Sequence, residues 1–176
     1  IKRYYDLKKE EMKLDENSSI ETYKAKLIDA ITLRLRSDVK VGTCLSGGLD
    51  SSSIAAIASS MYKKDSNEKF IAIHAKSSEH DSDESFFAKE VANSSNLDLK
   101  LIEPTKDEFI NSIDDVIYTQ EEPFGSPSIF MQYFVMKKAK EIGCTVLLDG
   151  QGGDETLVGY ERYYPSYLMS LGFFNL

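Results

Sequence analysis

Apolar residues recur along the chain at two periods that take turns, and this alternation predicts the fold. Val41-Gly42-Thr43-Cys44-Leu45, Phe70-Ile71-Ala72-Ile73-His74-Ala75 and Cys144-Thr145-Val146-Leu147-Leu148 are short, nearly continuous apolar runs, as expected of strands buried on both faces. Leu97-Asp98-Leu99-Lys100-Leu101 alternates strictly and predicts a strand with one wet face near a sheet edge. Between these runs the period lengthens. Ile20, Tyr23, Leu27, Ile31 and Leu35 mark a helix that starts at the capping box Ser18-Ser19-Ile20-Glu21 and runs to about Ser37. Ile54, Ile57, Ala58 and Met61 mark the next. Asp81 and Glu84 have capping-box spacing before a face of Phe87 and Val91, and Thr105 and Glu108 open a helix that presents Phe109, Ile113 and Val116. Glu121-Glu122-Pro123-Phe124-Gly125 interrupts, and Ser126-Pro127 then starts a helix that carries Ile129, Tyr133 and Met136 to about Ile142. Strands alternating with helices predict right-handed crossovers and a Rossmann-like three-layer α/β/α domain around a parallel sheet.

A chain of 176 residues accommodates one such domain. Residues 1–17 are charged and irregular and read as a linker, which assigns the folded domain to 18–176. The apolar ending Leu171-Gly172-Phe173-Phe174-Asn175-Leu176 predicts that the parent chain continues, a buried terminus being the alternative. A formal net charge of -8 argues against a nucleic-acid or membrane-surface partner, since both need clustered Lys and Arg. No stretch approaches the roughly 20 apolar residues of a membrane span, and the first residues lack a signal-peptide core, so a cytoplasmic protein is expected. Cys44 and Cys144 each sit in a strand-like run and read as buried hydrophobes rather than as a disulfide or metal ligands. His74 lies in a strand pattern and His80 in an acidic loop; neither is assigned a role.

Two glycine-rich loops, each directly after an apolar run, carry the candidate chemistry. In Leu45-Ser46-Gly47-Gly48-Leu49-Asp50-Ser51-Ser52 the paired glycines let backbone N–H groups approach an anion, and the helix that follows offers unpaired N–H donors at its positive end. Ser46, Ser51 and Ser52 can add hydroxyl donors. Asp50 would repel a phosphate unless a divalent cation, magnesium, lay between them. The loop lacks the Gly-Lys-Ser/Thr of a Walker A motif and the spaced glycines of dinucleotide folds. The second loop, Asp149-Gly150-Gln151-Gly152-Gly153-Asp154-Glu155, places Asp154 and Glu155 where Asp50 could share that ion. Taken singly, either loop is also compatible with an ordinary glycine turn capped at a helix start.

Ser-Gly-Gly-Leu-Asp-Ser after a strand resembles the pyrophosphate loop of ATP pyrophosphatases. Joined by Gly150-Gln151-Gly152-Gly153-Asp154-Glu155 with Gly159-Tyr160, by Arg34-Leu35-Arg36-Ser37-Asp38-Val39 and by Arg3-Tyr4-Tyr5-Asp6-Leu7, it resembles the synthetase domain of glutamine-dependent asparagine synthetases along essentially the whole chain. The resemblance implies an adenine nucleotide alpha hydrolase-like fold and a ligase that uses ATP and Mg2+. A substrate carboxylate, that of aspartate in the family, attacks the α-phosphate, and ammonia displaces AMP from the acyl-adenylate. By the same resemblance Ser46, Gly47, Gly48, Asp50, Ser51 and Ser52 hold the pyrophosphate portion, Cys44, Ile73 and Gly150 line the adenosine site, and Leu45 is a further nucleotide-binding candidate. Asp50 and Asp154 take the metal, and Asp154, Glu155 and Gln151 are the catalytic candidates. Glu121, Glu122 and Tyr133 resemble a substrate-side segment.

Asp149 and Gln151 stand where the family commonly has Ser and Glu, which leaves the acceptor carboxylate open. The family releases ammonia with an N-terminal cysteine on a separate glutaminase domain, whereas this chain begins with Ile1; the expectation is a C-terminally truncated synthetase fragment, inactive or weakly active alone. Arg162 is the one cationic candidate near the second loop. A related amidotransferase or ring-forming synthetase acting on another carboxylate or a sugar, and a non-catalytic nucleotide-binding module, are the alternatives.

Overall fold

A computed structural model describes residues 2–4, 12–65, 68–79 and 83–172. Four strands, β1 (Val41–Cys44), β2 (Ile71–Ala75), β3 (Asp98–Ile102) and β4 (Val146–Leu148), pair in parallel in the order β3-β2-β1-β4. The sequence therefore steps outward from β1 to β3, then returns to β1's other side for β4. Along one face lie the helices α1 (Glu16–Arg34), α2 (Leu49–Asp65) and α3 (Ser85–Ser94), which meet the sheet through Ile31, Ala55, Ala58, Ala88 and Ala92. On the other lies α6 (Ser128–Glu141), whose Val135 and Ala139 pack on Ile71 and Ile73 of β2. Successive residues of β2 thus face different cores, Ala72 one and Ile71 and Ile73 the other, which is why its apolar run is unbroken. The three-layer arrangement predicted from the alternation is present.

Boundaries and faces differ from the sequence reading in instructive places. Helix α1 begins at Glu16 rather than Ser18, because Asp15 Oδ1 accepts the Ser18 N–H at 2.8 Å and supplies the cap, and it ends at Arg34 rather than near Ser37. In α3 the small residues Ala88 and Ala92 are buried while Phe87 is 57% exposed, so the helix approaches the sheet through its alanines. Its expected cap at Asp81 lies outside the described residues, as does His80; Asp83 accepts from the Ser85 N–H and hydroxyl instead. The helix expected after Thr105 is two, α4 (Lys106–Asn111) and α5 (Ile113–Gln120), parted at the buried Ser112. The Thr105–Glu108 capping box is formed as predicted. In α6 the buried side chains are Phe130, Phe134, Val135 and Ala139, whereas Met136 is exposed: the true stripe is displaced by one residue from the expected one, and Phe130 is held by Phe109 at 4.1 Å between ring centroids. Strand β3 is the sheet edge, as its alternation predicted. Beyond β4 come α7 (Gly153–Leu157), a 3-10 turn (Glu161–Tyr163) and α8 (Tyr164–Ser170).

Candidate functional site

Strand order reverses between β1 and β4, and in open parallel sheets a crevice forms where loops leave the strand ends at such a reversal. Both glycine loops emerge there. The β1–α2 loop is tied to itself: Ser46 N–H donates to Ser51 Oγ at 3.2 Å, the two serine hydroxyls lie 2.8 Å apart, and Gly48 N–H donates to Ser46 Oγ at 3.2 Å. Gly47 turns the chain at φ +101°, a conformation that disfavours a side chain, and a Cβ there would lie 3.0 Å from the Glu84 carbonyl oxygen ahead of α3. The first intrahelical bond of α2 runs from Ser52 N–H to Gly48 O, which leaves the N–H groups of the first turn without helical acceptors.

The β4–α7 loop lies directly against this turn. A Cβ on Gly150 would come within 2.9 Å of the Ser51 backbone nitrogen, and one on Gly153 would overlap the Asp50 carboxylate. Only glycine lets the second loop seat on the first. Between them opens a cleft of about 830 Å3, into which Ser46, Gly48, Asp50, Gln151, Asp154 and Glu155 all project part of their surface. Cys44, Ser51 and Gly150 also line it; Leu45, Gly47, Ser52 and Ile73 do not. Leu45 and Ile73 instead join Cys44 in the wall of a neighbouring cavity of about 210 Å3. The Ser52 hydroxyl is buried without a hydrogen-bond partner among the described residues. Glu121, Glu122 and Tyr133 lie outside the cleft wall, Tyr133 donating to Asp115 at 3.4 Å.

Acidic groups dominate the second loop. Gln151 N–H donates to Asp149 Oδ1 at 3.1 Å, and Tyr160 OH donates to Glu155 at 3.3 Å. Burial, then the nearby Glu155 carboxylate, raises the Tyr160 phenol above its ordinary range. Arg162 stacks over Tyr160, 4.5 Å from the ring centroid, at the mouth. Among the described residues that line the cleft none is cationic. Magnesium is characteristically held by one or two carboxylates completed by substrate phosphates and water. Asp50 and Asp154, hard oxygen donors from the two loops on one cleft, are a donor set of that kind, and no group of three or more ligands occurs among the described residues.

Gln132 was not named in the sequence reading, and His74, placed there in a strand, was assigned no role. Gln132, on α6, lines both cavities beside Cys44 and counteracts the rise of its thiol pKa; its signal was the stripe Ser128, Met131, Gln132, Val135 at helical spacing. Cys44 itself is pushed up to about 12 by burial first and by the adjacent Asp149 carboxylate second, which makes it a neutral wall rather than a nucleophile.

The asparagine synthase family model matches residues 22–175. The chain belongs to that family. Relatives include glutamine-hydrolysing asparagine synthetase 1 of Bacillus subtilis, 29% identical over 165 residues, with 93% of this chain and 25% of that protein aligned. The Methanocaldococcus jannaschii protein named as glutamine-hydrolysing asparagine synthetase 2 is 33% identical over 172 residues, covering 96% of this chain and 32% of its own length. Amidase chyE of Penicillium rubens is 25% identical over 164 residues, 87% of this chain and 24% of that protein. The chain spans 24% to 32% of the length of these relatives. The fold is shared with the U34-tRNA thiolase of Methanococcus maripaludis (TM-score 0.58, 20% identity, 86% of this chain and 52% of that one) and with the NH3-dependent NAD synthetase of Campylobacter jejuni (TM-score 0.50, 22% identity, 80% and 60%). It is the adenine nucleotide alpha hydrolase-like α/β fold of the family.

Proposed function

We propose that residues 18–176 form the nucleotide-activating domain of an ATP-dependent amide-forming ligase, joined through 1–17 to a glutaminase domain of the parent chain that delivers ammonia. The observation that carries this reading is the seating of Asp50 against Gly153, which brings a helix N-terminus and two acidic groups to one cleft at the strand-order reversal. In it the Ser46 and Ser51 hydroxyls and the N–H groups of the first turn of α2 serve the β- and γ-phosphates, while Asp50 and Asp154 would hold Mg2+, which would offset phosphate charge. Leu45, Gly47 and Ser52 act from behind, as the frame of that loop. Cys44, Ile73 and Gly150 border the adenosine. The carboxylate of an acceptor, aspartate first among candidates, attacks the α-phosphorus; pyrophosphate leaves, and ammonia then displaces AMP from the mixed anhydride. Gln151, Asp154 and Glu155 line the acceptor's approach.

Pyrophosphate release separates this reading from a nucleotide-binding module without chemistry. Calorimetry with ATP, with and without magnesium, and a pyrophosphate assay with aspartate and ammonia test it; ATP binding indifferent to chelator and to Asp50→Ala overturns the metal assignment. Because none of the described residues that line the cleft is cationic, turnover by this chain alone is expected to be slow, since losing one transition-state donor costs on the order of 10²–10³ in rate. The kinship with a fungal amidase and the Asp149 and Gln151 side chains support a second acceptor class, another carboxylate, which substrate screening in the same assay distinguishes.

A further inference from the structure

Asp50, Asp154 and Glu155 all line the cleft, yet among the described residues no three such groups come together as an ion site. Of these three carboxylates only that of Glu155 accepts a hydrogen bond among the described residues: Tyr160 OH donates to its Oε1 at 3.3 Å. The chain turns sharply to bring the two together. Val158 closes α7 in the left-handed region at φ +60° and ψ +37°, a conformation that a β-branched residue rarely takes. Strain of that kind persists where the surrounding structure imposes it. Gly159 follows, its N–H donating to the Asp154 carbonyl at 2.9 Å, and a Cβ there would overlap the Asp154 carboxylate, so glycine lets the turn fold back over the acids. Tyr160 is held on its ring face as well. The Arg162 guanidinium stacks 4.5 Å from its centroid and 5.2 Å from that of Tyr163.

We infer that Tyr160 is a positioning residue for the metal: by holding the Glu155 carboxylate it limits the protein's share of the ion to Asp50 and Asp154, and so favours Mg2+ over the larger Ca2+. The inference rests on the metal assignment proposed above and goes beyond it to what sets the choice of ion. Mg2+ keeps near-octahedral geometry and several waters and is held by one or two carboxylates with substrate phosphates, whereas Ca2+ takes six to eight oxygens at longer range and gains from each added carboxylate. Glu155 follows Asp154 directly and lines the same cleft, so its release would offer that ion a third carboxylate. Asp149, the remaining acid on the cleft wall, is already engaged by the Gln151 N–H at 3.1 Å. Tyr160 acts through a hydrogen bond and not through ligation, which reserves Glu155 for the acceptor's side.

The test titrates Mg2+ and Ca2+ into the whole chain by calorimetry, each alone and with pyrophosphate. Tyr160→Phe keeps the ring beside Arg162 and removes only the hydroxyl. It is expected to tighten Ca2+ roughly three- to tenfold, because in the unaltered protein Glu155 must first give up one hydrogen bond before it can join the ion, while Mg2+ moves less than about twofold. Glu155→Gln alone should leave the ratio of the two affinities near that of the unaltered protein. Added to Tyr160→Phe it should return the ratio there, a reversal that a merely structural tyrosine would not give. With Mn2+ as the probe, water-proton relaxation should report fewer ion-bound waters in Tyr160→Phe than in the unaltered chain. A ratio unmoved by Tyr160→Phe overturns the proposal, and so does a shift that persists without the Glu155 carboxylate. If Asp50→Ala leaves ion binding unchanged, the metal assignment itself fails; if Asp50→Ala abolishes binding and Tyr160→Phe leaves the ratio alone, only the role of Tyr160 does. Absence of ion binding in every variant overturns both.

Discussion

The two glycine loops meet at one cleft but hold their shapes by opposite means. The β1–α2 loop is braced from within by the Ser46, Gly48 and Ser51 hydrogen bonds and from outside by the residues ahead of α3. The β4–α7 loop bonds internally too, Gln151 N–H to Asp149 Oδ1 at 3.1 Å and Gly153 N–H to Gly150 O at 3.3 Å, but it takes its position by lying on the first, through Gly150 against Ser51 and Gly153 against Asp50. One loop is therefore a rigid template and the other is shaped by it. A defect in the template should cost stability, whereas a defect at the seam should cost binding with the fold retained.

The largest effect is expected at the seam. Gly153→Ala forces a Cβ into the Asp50 carboxylate, and Mg-ATP affinity measured by calorimetry should fall at least roughly tenfold, the equivalent of about 1.4 kcal/mol. Asp50→Ala removes the carboxylate with its proposed ion, and magnesium-dependent binding should weaken on the order of 10–100-fold while the melting temperature holds. Gly47→Ala tests the template: a side chain at φ +101° costs about 1–3 kcal/mol, read as a drop of roughly 2–4 °C in Tm per kcal/mol. If Gly47→Ala spares stability and Gly153→Ala unfolds the chain, the roles of the loops are reversed.

Cys44 sharpens the comparison further, because the template carries it and Asp149 at the root of the second loop acts on it. With its folded pKa raised from 9.0 to about 12, the native state keeps a proton that the unfolded state loses, so the contribution to stability is complete below pH 9 and is lost as pH rises toward 12. Alkylation of Cys44 should stay slow at neutral pH, and Asp149→Asn should move its onset to lower pH; an unmoved onset would assign the whole shift to burial. The smallest effect lies far from both loops. Glu108 is held below the ordinary carboxylate range by the Thr105 N–H first and the Thr105 hydroxyl second. That contribution is present above the unfolded value near 4.5 and lost as pH falls through the lowered one, so Thr105→Ala, which keeps the N–H and removes the hydroxyl, should flatten the acid limb of the stability curve in part and leave nucleotide binding alone.

Strand positions, the parallel three-layer class and the shared end of both loops were legible because each rests on local patterns: apolar runs, helical periods and glycine placement. What escaped depends on packing partners distant in sequence. The buried side of α3 could not be read from Phe87, since a helix lying close to the sheet prefers Ala88 and Ala92 there. The displaced stripe of α6 is fixed by Phe109 meeting Phe130, two elements away. Likewise Ser51 and Ser52 looked alike in the sequence, yet one hydroxyl braces Ser46 and the other is sealed off without a partner among the described residues. His74 was given no role in the sequence, since only the structure shows that its second nitrogen lacks a partner among the described residues.

The pairing of β4 with β1 also orders events in time. Thr43 Oγ1 donates to the Leu148 carbonyl oxygen across 105 residues of chain, so the cleft is the most non-local feature of the sheet and cannot exist until that long loop has closed. Closure of a loop this long is only logarithmically dearer than closure of a short one, but the three-residue β4 brings few bonds to repay it. The unit β4–α7 should accordingly be the last to dock and the first to detach in the native ensemble, with its amides exchanging ahead of those of β1 and β2. A ligand gripped by both loops would then act as a clasp on the slowest step of folding, and slowed exchange in Val146–Leu148 on adding nucleotide would report closure of the chain itself.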